Sequence, residues 1–171
     1  TGMEYRYVYH AICFQVLNNA ADGWDDVTIS GCVIEEVPHA GLFMSGPDFF
    51  GTNDRLDLFT NVRIADNVFR HIYGDPSGNS EAVPLGIANA TGVVIERNLC
   101  RNCSSEGFHQ HFGRENIVRH NVFAFNGGSG IAISVGRSRQ TGYSWPGDNY
   151  AMNLVFVGNV VLQDGRPFFR Q

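Results

Sequence analysis

Val93-Val-Ile-Glu-Arg-Asn-Leu-Cys100 and Asn116-Ile-Val-Arg-His-Asn-Val-Phe123 are two copies of one pattern, and reading them together decides the fold. Each has an apolar residue three positions before a central Asn and apolar residues at one or both positions after it. Three further copies are Val27-Thr-Ile-Ser-Gly-Cys-Val-Ile34, Val62-Arg-Ile-Ala-Asp-Asn-Val-Phe69 and Leu154-Val-Phe-Val-Gly-Asn-Val-Val161. The pivot is Cys32 in the first copy and Asn67, Asn98, Asn121 and Asn159 in the others, at spacings of 35, 31, 23 and 38 residues. Self-similarity at such a period marks a stacked architecture, and a coil of about 23 residues with three short strands is one turn of a parallel β-helix. The longer spacings are the same coil with loops inserted on one side.

A second element follows each pivot. Ala11-Ile-Cys-Phe-Gln15, Gly41-Leu-Phe-Met-Ser45, Pro84-Leu-Gly-Ile-Ala88, Gly107-Phe-His-Gln-His111 and Gly130-Ile-Ala-Ile-Ser134 align without gaps. Apolar positions alternate and helical periodicity is poor, which favours strands. Asn tolerates left-handed backbone geometry and bonds through its amide, so stacked Asn residues at one corner can form a ladder between coils. One coil cannot bury its apolar face alone, whereas a stack buries a continuous core. The expected fold is all-β, a solenoid of about five to six coils in one domain spanning residues 1–171. Residues 1–9 are short for a cap and residues 167–171 read as the start of another coil. The expectation is therefore a helix that is truncated, or capped by further coils or another chain.

Composition narrows the function. Apolar residues make up 43% and charged residues 17% of the 171, as in a globular chain. No apolar run approaches the length of about 18 residues that a membrane span needs, and no leader pattern opens the chain. A net charge of −5 argues against a general nucleic-acid binder. All twelve basic residues are Arg, which excludes a lysine base, a Schiff base and a P-loop lysine. Four cysteines are too few for a disulfide scaffold at this length, and Cys100-x-x-Cys103 has no second pair to complete a zinc site.

The repeat resembles the right-handed parallel β-helix, or pectate-lyase-like, superfamily over roughly residues 10–170. A narrower resemblance lies in Gly107-Phe-His-Gln-His-Phe-Gly-Arg-Glu-Asn-Ile-Val-Arg-His-Asn-Val-Phe-Ala-Phe125. This segment is similar to one in large secreted bacterial β-helix proteins grouped with glycoside hydrolases. The resemblance implies a secreted or extracellular protein acting on a polysaccharide or oligosaccharide in a groove on the strand face. It transfers no catalytic residue, and the paired aspartates and Gly-His-Gly of polygalacturonases are absent.

Alternation predicts that Ile12/Phe14, Leu42/Met44, Leu85/Ile87, Phe108/Gln110 and Ile131/Ile133 point inward. The outward file is then Cys13/Gln15, Phe43/Ser45, Gly86/Ala88, His109/His111 and Ala132/Ser134. Small residues beside the histidines predict a groove one coil wide on either side of the pair. Insertions at 46–60, 73–83 and 136–152 would frame it. His109 and His111 suit acid–base work or hydroxyl contacts, since His titrates near neutral pH; the plain alternative is two solvated surface histidines.

Glu106, one residue before the strand, is a candidate general acid, paired with Asp75 or Glu81. Each is equally readable as an ordinary turn or loop charge. Arg114, Arg137 and Arg139 are candidate uronate contacts, with a Glu115 or Glu106 salt bridge the alternative for Arg114. Trp145 and Tyr143 would stack on sugar or anchor their loop, and His39 is an accessory contact. No cofactor is expected; zinc on the His-x-His pair would need a further ligand such as Glu106, Asp75 or Glu81, and calcium is the other ion to consider. Three functions follow: glycoside hydrolase, polysaccharide lyase, or a non-catalytic binding or assembly module.

Overall fold

The computed structural model describes residues 10–16, 23–46, 57–73, 82–134 and 153–162. Among these there are strands and turns and no helix. Three parallel sheets run along one solenoid. The first stacks β1 (His10–Gln15), β5 (Ala40–Ser45), β9 (Leu85–Thr91), β12 (Phe108–Arg114) and β15 (Ile131–Ser134). The second stacks β3 (Thr28–Ser30), β7 (Arg63–Ala65), β10 (Val94–Glu96), β13 (Ile117–Arg119) and β16 (Val155–Val157). The third stacks β4 (Val33–Val37), β8 (Val68–Ile72), β11 (Leu99–Arg101), β14 (Val122–Ala124) and β17 (Val160–Leu162). These are the rungs of a parallel β-helix, in the register that the repeat predicts.

The corner between the second and third sheets explains the repeat. The residue before each pivot is left-handed: Gly31 (φ 67°), Asp66 (59°), Arg97 (54°), His120 (55°) and Gly158 (62°). For non-glycine residues that geometry costs roughly 1–2 kcal/mol each, so something must hold the bend. The pivot amides supply it. Asn67 donates from its backbone N and Nδ2 to Asn98 Oδ1, both at 3.0 Å. Asn98 donates in the same way to Asn121 Oδ1, at 2.9 and 3.0 Å, and Asn121 to Asn159 Oδ1, both at 3.0 Å. Each Nδ2 also reaches a carbonyl of the preceding rung, such as Ile64 O from Asn98. Cys32 joins only through its backbone N, bonded to Asn67 Oδ1. The other two corners carry shorter versions: Asn116 bridges Val93 N and Ala90 O, and Asn126 bridges Cys103 N and Cys100 O.

Inside the corners, side chains stack in files. Ile29, Ile64, Ile95, Val118 and Phe156 form one, and Ile34, Phe69, Cys100, Phe123 and Val161 another. Leu42, Leu85 and Phe108, with Met44 and Ile87, fill the third wall and are buried. All four cysteines are free thiols, and Cys100 and Cys103 pack as small buried groups.

One feature of the outer surface was not foreseen. Glu96 faces outward from β10 yet is only 3% exposed, because arginines from three rungs close over it. Arg63 Nη2 lies 2.7 Å from Oε1, Arg119 Nη2 2.6 Å from Oε2 and Arg97 Nη1 3.1 Å from Oε1. Burial by itself would raise the Glu96 carboxyl, but the hydrogen bonds from Arg119 and Arg63 outweigh it, and the group falls from 4.5 to about 2.

The structure also moves the edges of two insertions. Phe59–Thr60, read above as the end of a loop, is strand β6, pairing with β9 and with β2 (Trp24–Asp25). Leu58 and Phe59 are fully buried, so the stack continues up to them. Tyr73, Ala82 and Val83 also belong to the stack, Tyr73 through its backbone N to Val37 O.

Asn98→Ala would orphan the buried donors of Asn67 and the carbonyl of Ile64, so a loss of roughly 3 kcal/mol or more is expected in urea denaturation. Asn159→Ala, on the half-buried last rung, should cost less than half as much. Glu96 binds its proton less readily folded than unfolded, so its stabilisation is present above pH 4.5 and disappears as pH falls toward about 2. The stability gap between the parent and Glu96→Gln should therefore shrink through that window in acid titrations followed by circular dichroism.

Candidate functional site

The first sheet places the two imidazoles as alternation predicts. Phe108 and Gln110 point inward and are 0% exposed, so His109 and His111 project from the outer face of β12. In register, His109 lies between Gly86 and Ala132, and His111 between Ala88 and Ser134. The two rings contact each other, with centroids 3.9 Å apart and planes tilted by 31°.

The groove is not symmetric. On the Gly86 side, the ring of Phe43 fills the space: a Cβ added to Gly86 would meet Phe43 Cδ2 at 3.0 Å, with Val83 Cγ1 behind it at 3.9 Å. Ala88 and Ser45 are buried on this outer face, and His109 is itself only 7% exposed. The expected opening on both sides is therefore corrected to one, because the aromatic ring of β5 leans over the glycine of β9. On the far side Ala132 is half-buried and His111 is partly exposed, so the accessible flank runs from His111 toward β15. The reading of His109 as a solvated surface residue fails for the same reason.

The other candidates divide. Glu106 is half-buried just before β12, and Ser105 Oγ donates to its Oε2; no bond from Glu106 to either His is present. Arg114 closes β12 at its exposed end, where its carbonyl accepts from Gly92 N, and among the described residues it pairs with neither Glu115 nor Glu106. His39 is half-buried in the bend before β5. Asp75, Glu81, Arg137, Arg139, Tyr143 and Trp145 lie outside the described residues. Among the described residues no three His, Cys, Asp or Glu side chains gather as a metal site, so Glu106 does not complete one with the His pair.

Gln110 lies in the inner file of the first sheet, where its rung neighbours are Ile87 and Ile133 and not a ladder of amides. Its Nε2 and the Asn116 Nδ2 both crowd Gly113, lying 2.9 and 2.8 Å from where a Cβ there would stand. Among the described residues, neither Gln110 amide atom has a hydrogen-bonding partner. Two polar contacts of the outer surface, Glu96 with its arginines and Glu35 with Arg70, went unread because they depend on which rungs meet.

The family described as the right handed beta helix region matches residues 7–144. The chain belongs to that family. No curated protein and no solved structure matches it. Membership of the right-handed β-helix family fits a protein that acts on carbohydrate or binds polysaccharide, and it makes the solenoid described above right-handed.

A buried amide without partners costs roughly 1–3 kcal/mol. Gln110→Met, which keeps the shape and removes the polar atoms, should therefore raise stability by about that amount in chemical denaturation. An unchanged or lowered midpoint would show that the amide is satisfied.

Proposed function

We propose that this right-handed β-helix protein is a glycoside hydrolase that acts on a polysaccharide lying along the outer face of the first sheet. The observation that carries the reading is the His109/His111 pair, projecting outward with Ala132 and Ser134 beside it on the open flank. A strand-lined trough with imidazoles at its floor offers a sugar chain both hydrogen-bonding groups and proton carriers. Glu106, just before the same strand, is the nearest acid in sequence. Glycoside hydrolysis commonly needs a second carboxylate about 5–10 Å from the first, a part that Asp75 or Glu81 would play. Arg114, with Arg137 and Arg139, would engage acidic groups of the chain, while Tyr143, Trp145 and His39 would contact sugar rings. An extracellular location accompanies this reading.

One observation favours a second reading. Glu106 is engaged by Ser105 rather than by an imidazole, so the His pair also suits a binding module that holds saccharide without cutting it. A lyase is the third arrangement, with Arg114 or Arg137 neutralising a uronate and a His accepting the C5 proton.

One set of assays separates the three. With an active preparation on a polysaccharide panel, a hydrolase releases reducing ends, a lyase releases an unsaturated sugar that absorbs in the ultraviolet, and a module does neither while retaining binding on a glycan array. Replacing both His109 and His111 with Ala should lower turnover by about 10²-fold or more if they transfer protons. Unchanged turnover in that variant would remove the site from this face.

A further inference from the structure

The bend that closes the third sheet carries a row of left-handed residues, one per rung: Glu36 (φ 56°), His71 (55°), Asn102 (54°) and Phe125 (59°). They are neighbours in the stack, since Glu35 pairs with Arg70, Arg70 with Arg101 and Arg101 with Ala124 in register. Left-handed geometry is an outlier for a bulky side chain and costs free energy. Phe125 carries that cost and is also 49% exposed, so neither backbone preference nor burial accounts for a phenyl ring at this bend. Strain of this kind collects where ligands are held.

The same bend presents a second aromatic group two rungs away. Tyr73 is 43% exposed, and its ring lies parallel to that of His71, with centroids 6.0 Å apart and planes 3° from each other. His71 is steadied in turn by Glu36, whose Oε1 lies 3.0 Å from Nδ1. Rungs are about 4.8 Å apart, so Phe125 and the His71/Tyr73 pair stand roughly 10 Å from each other along the solenoid. Between them runs the rung Arg101-Asn-Cys-Ser104, with Cys103 buried and the other three partly exposed. Ser104 Oγ donates to the carbonyl of Tyr73 at 2.6 Å, which ties this polar rung to the aromatic one. Charge singles out Arg101. On the outer faces of the second and third sheets Arg63, Arg97 and Arg119 engage Glu96, and Arg70 engages Glu35. Arg101 lies in register between Arg70 and Ala124; among the described residues its Nε is buried without a hydrogen-bond partner and it forms no ion pair. A guanidinium so placed is complementary to a carboxylate, which can meet it with two parallel hydrogen bonds.

We propose that this bend is a second saccharide site, one that takes a uronate-bearing oligosaccharide laid across the β11 rung. Phe125 and Tyr73 stack on the C–H faces of its sugar rings, Asn102 and Ser104 meet its hydroxyls, and Arg101 holds a carboxylate. Aromatic faces set on either side of a few polar groups are the usual make-up of a small-molecule site. The inference stands on these residues alone and does not rest on the reading of the His-bearing face.

The test isolates the bend by removing the other face. The whole 171-residue chain carrying His109→Ala and His111→Ala is titrated by calorimetry with an oligogalacturonate, and with a neutral cello-oligosaccharide of equal length. The uronate should bind, and more tightly than the neutral chain. Adding Arg101→Gln should weaken the uronate by about tenfold or more, the effect of losing a hydrogen bond to a charged group, and leave the neutral chain unaffected. Adding Phe125→Gly, which left-handed backbone accepts without strain, should weaken both ligands while circular dichroism shows the fold preserved. No uronate binding in the His-free background overturns the proposal and leaves the reading of the His-bearing face standing. Equal uronate binding with and without Arg101→Gln, or with and without Phe125→Gly, overturns it as well.

Discussion

The amide of Asn98 sits where a backbone bend and a stack of rungs must be reconciled. Arg97 before it is held in left-handed geometry, which an arginine does not favour, and Asn67 behind it depends on its carbonyl for two hydrogen bonds. The same arrangement recurs at Asn67 and Asn121, so the corner is a chain of amides in which each member satisfies one neighbour and is satisfied by another, with Asn159 as its last described acceptor. Sheets, core files and outer surface all follow from the alignment this chain imposes. A slip of one residue at any rung would break the ladder and reverse every strand face beyond it.

The outer faces of the second and first sheets are built differently. On the second sheet, three arginines converge on Glu96 and tie neighbouring rungs together with charge. On the first sheet the histidines project between rungs of small residues. There the register partners are Gly, Ala and Ser, and the space they leave is taken up on one side by Phe43. Among the described residues the His pair is thus packed against Phe43 on one flank and beside half-buried Ala132 on the other. Gln110, behind the same strand, is a polar group in an apolar wall, and its cost is borne at the one rung that carries the imidazoles.

Much of the fold was legible because the repeat is a statement about registers. Asn at the pivot, apolar residues at fixed offsets and alternation in the second element place nearly every inward and outward residue, including the facing of His109 and His111. What the pattern could not convey was lateral contact between rungs. Phe43 and Gly86 lie 43 residues apart, and nothing local to either says that the ring leans over the glycine. The convergence of Arg63, Arg97 and Arg119 on Glu96 is of the same kind. Loop limits were misplaced at Phe59–Thr60 because two residues are too few for alternation to register as a strand. Among the site candidates, alternation within one strand placed His109 and His111, while how Glu106 and Arg114 meet their neighbours depends on contacts that spacing does not encode.

The unequal spacing of the pivots has a kinetic consequence. The ladder bonds span 35, 31, 23 and 38 residues, and the shortest joins Asn98 to Asn121. Closing a flexible segment costs about (3/2)RT ln n, so this pair is favoured over the 38-residue one by roughly 0.4 kcal/mol before any contact forms. In a stack where each unit touches only its neighbours, structure spreads from wherever the first two units meet. That pair of rungs encloses β12, so chain entropy favours, by less than the thermal energy, first closure around the strand that bears the two histidines.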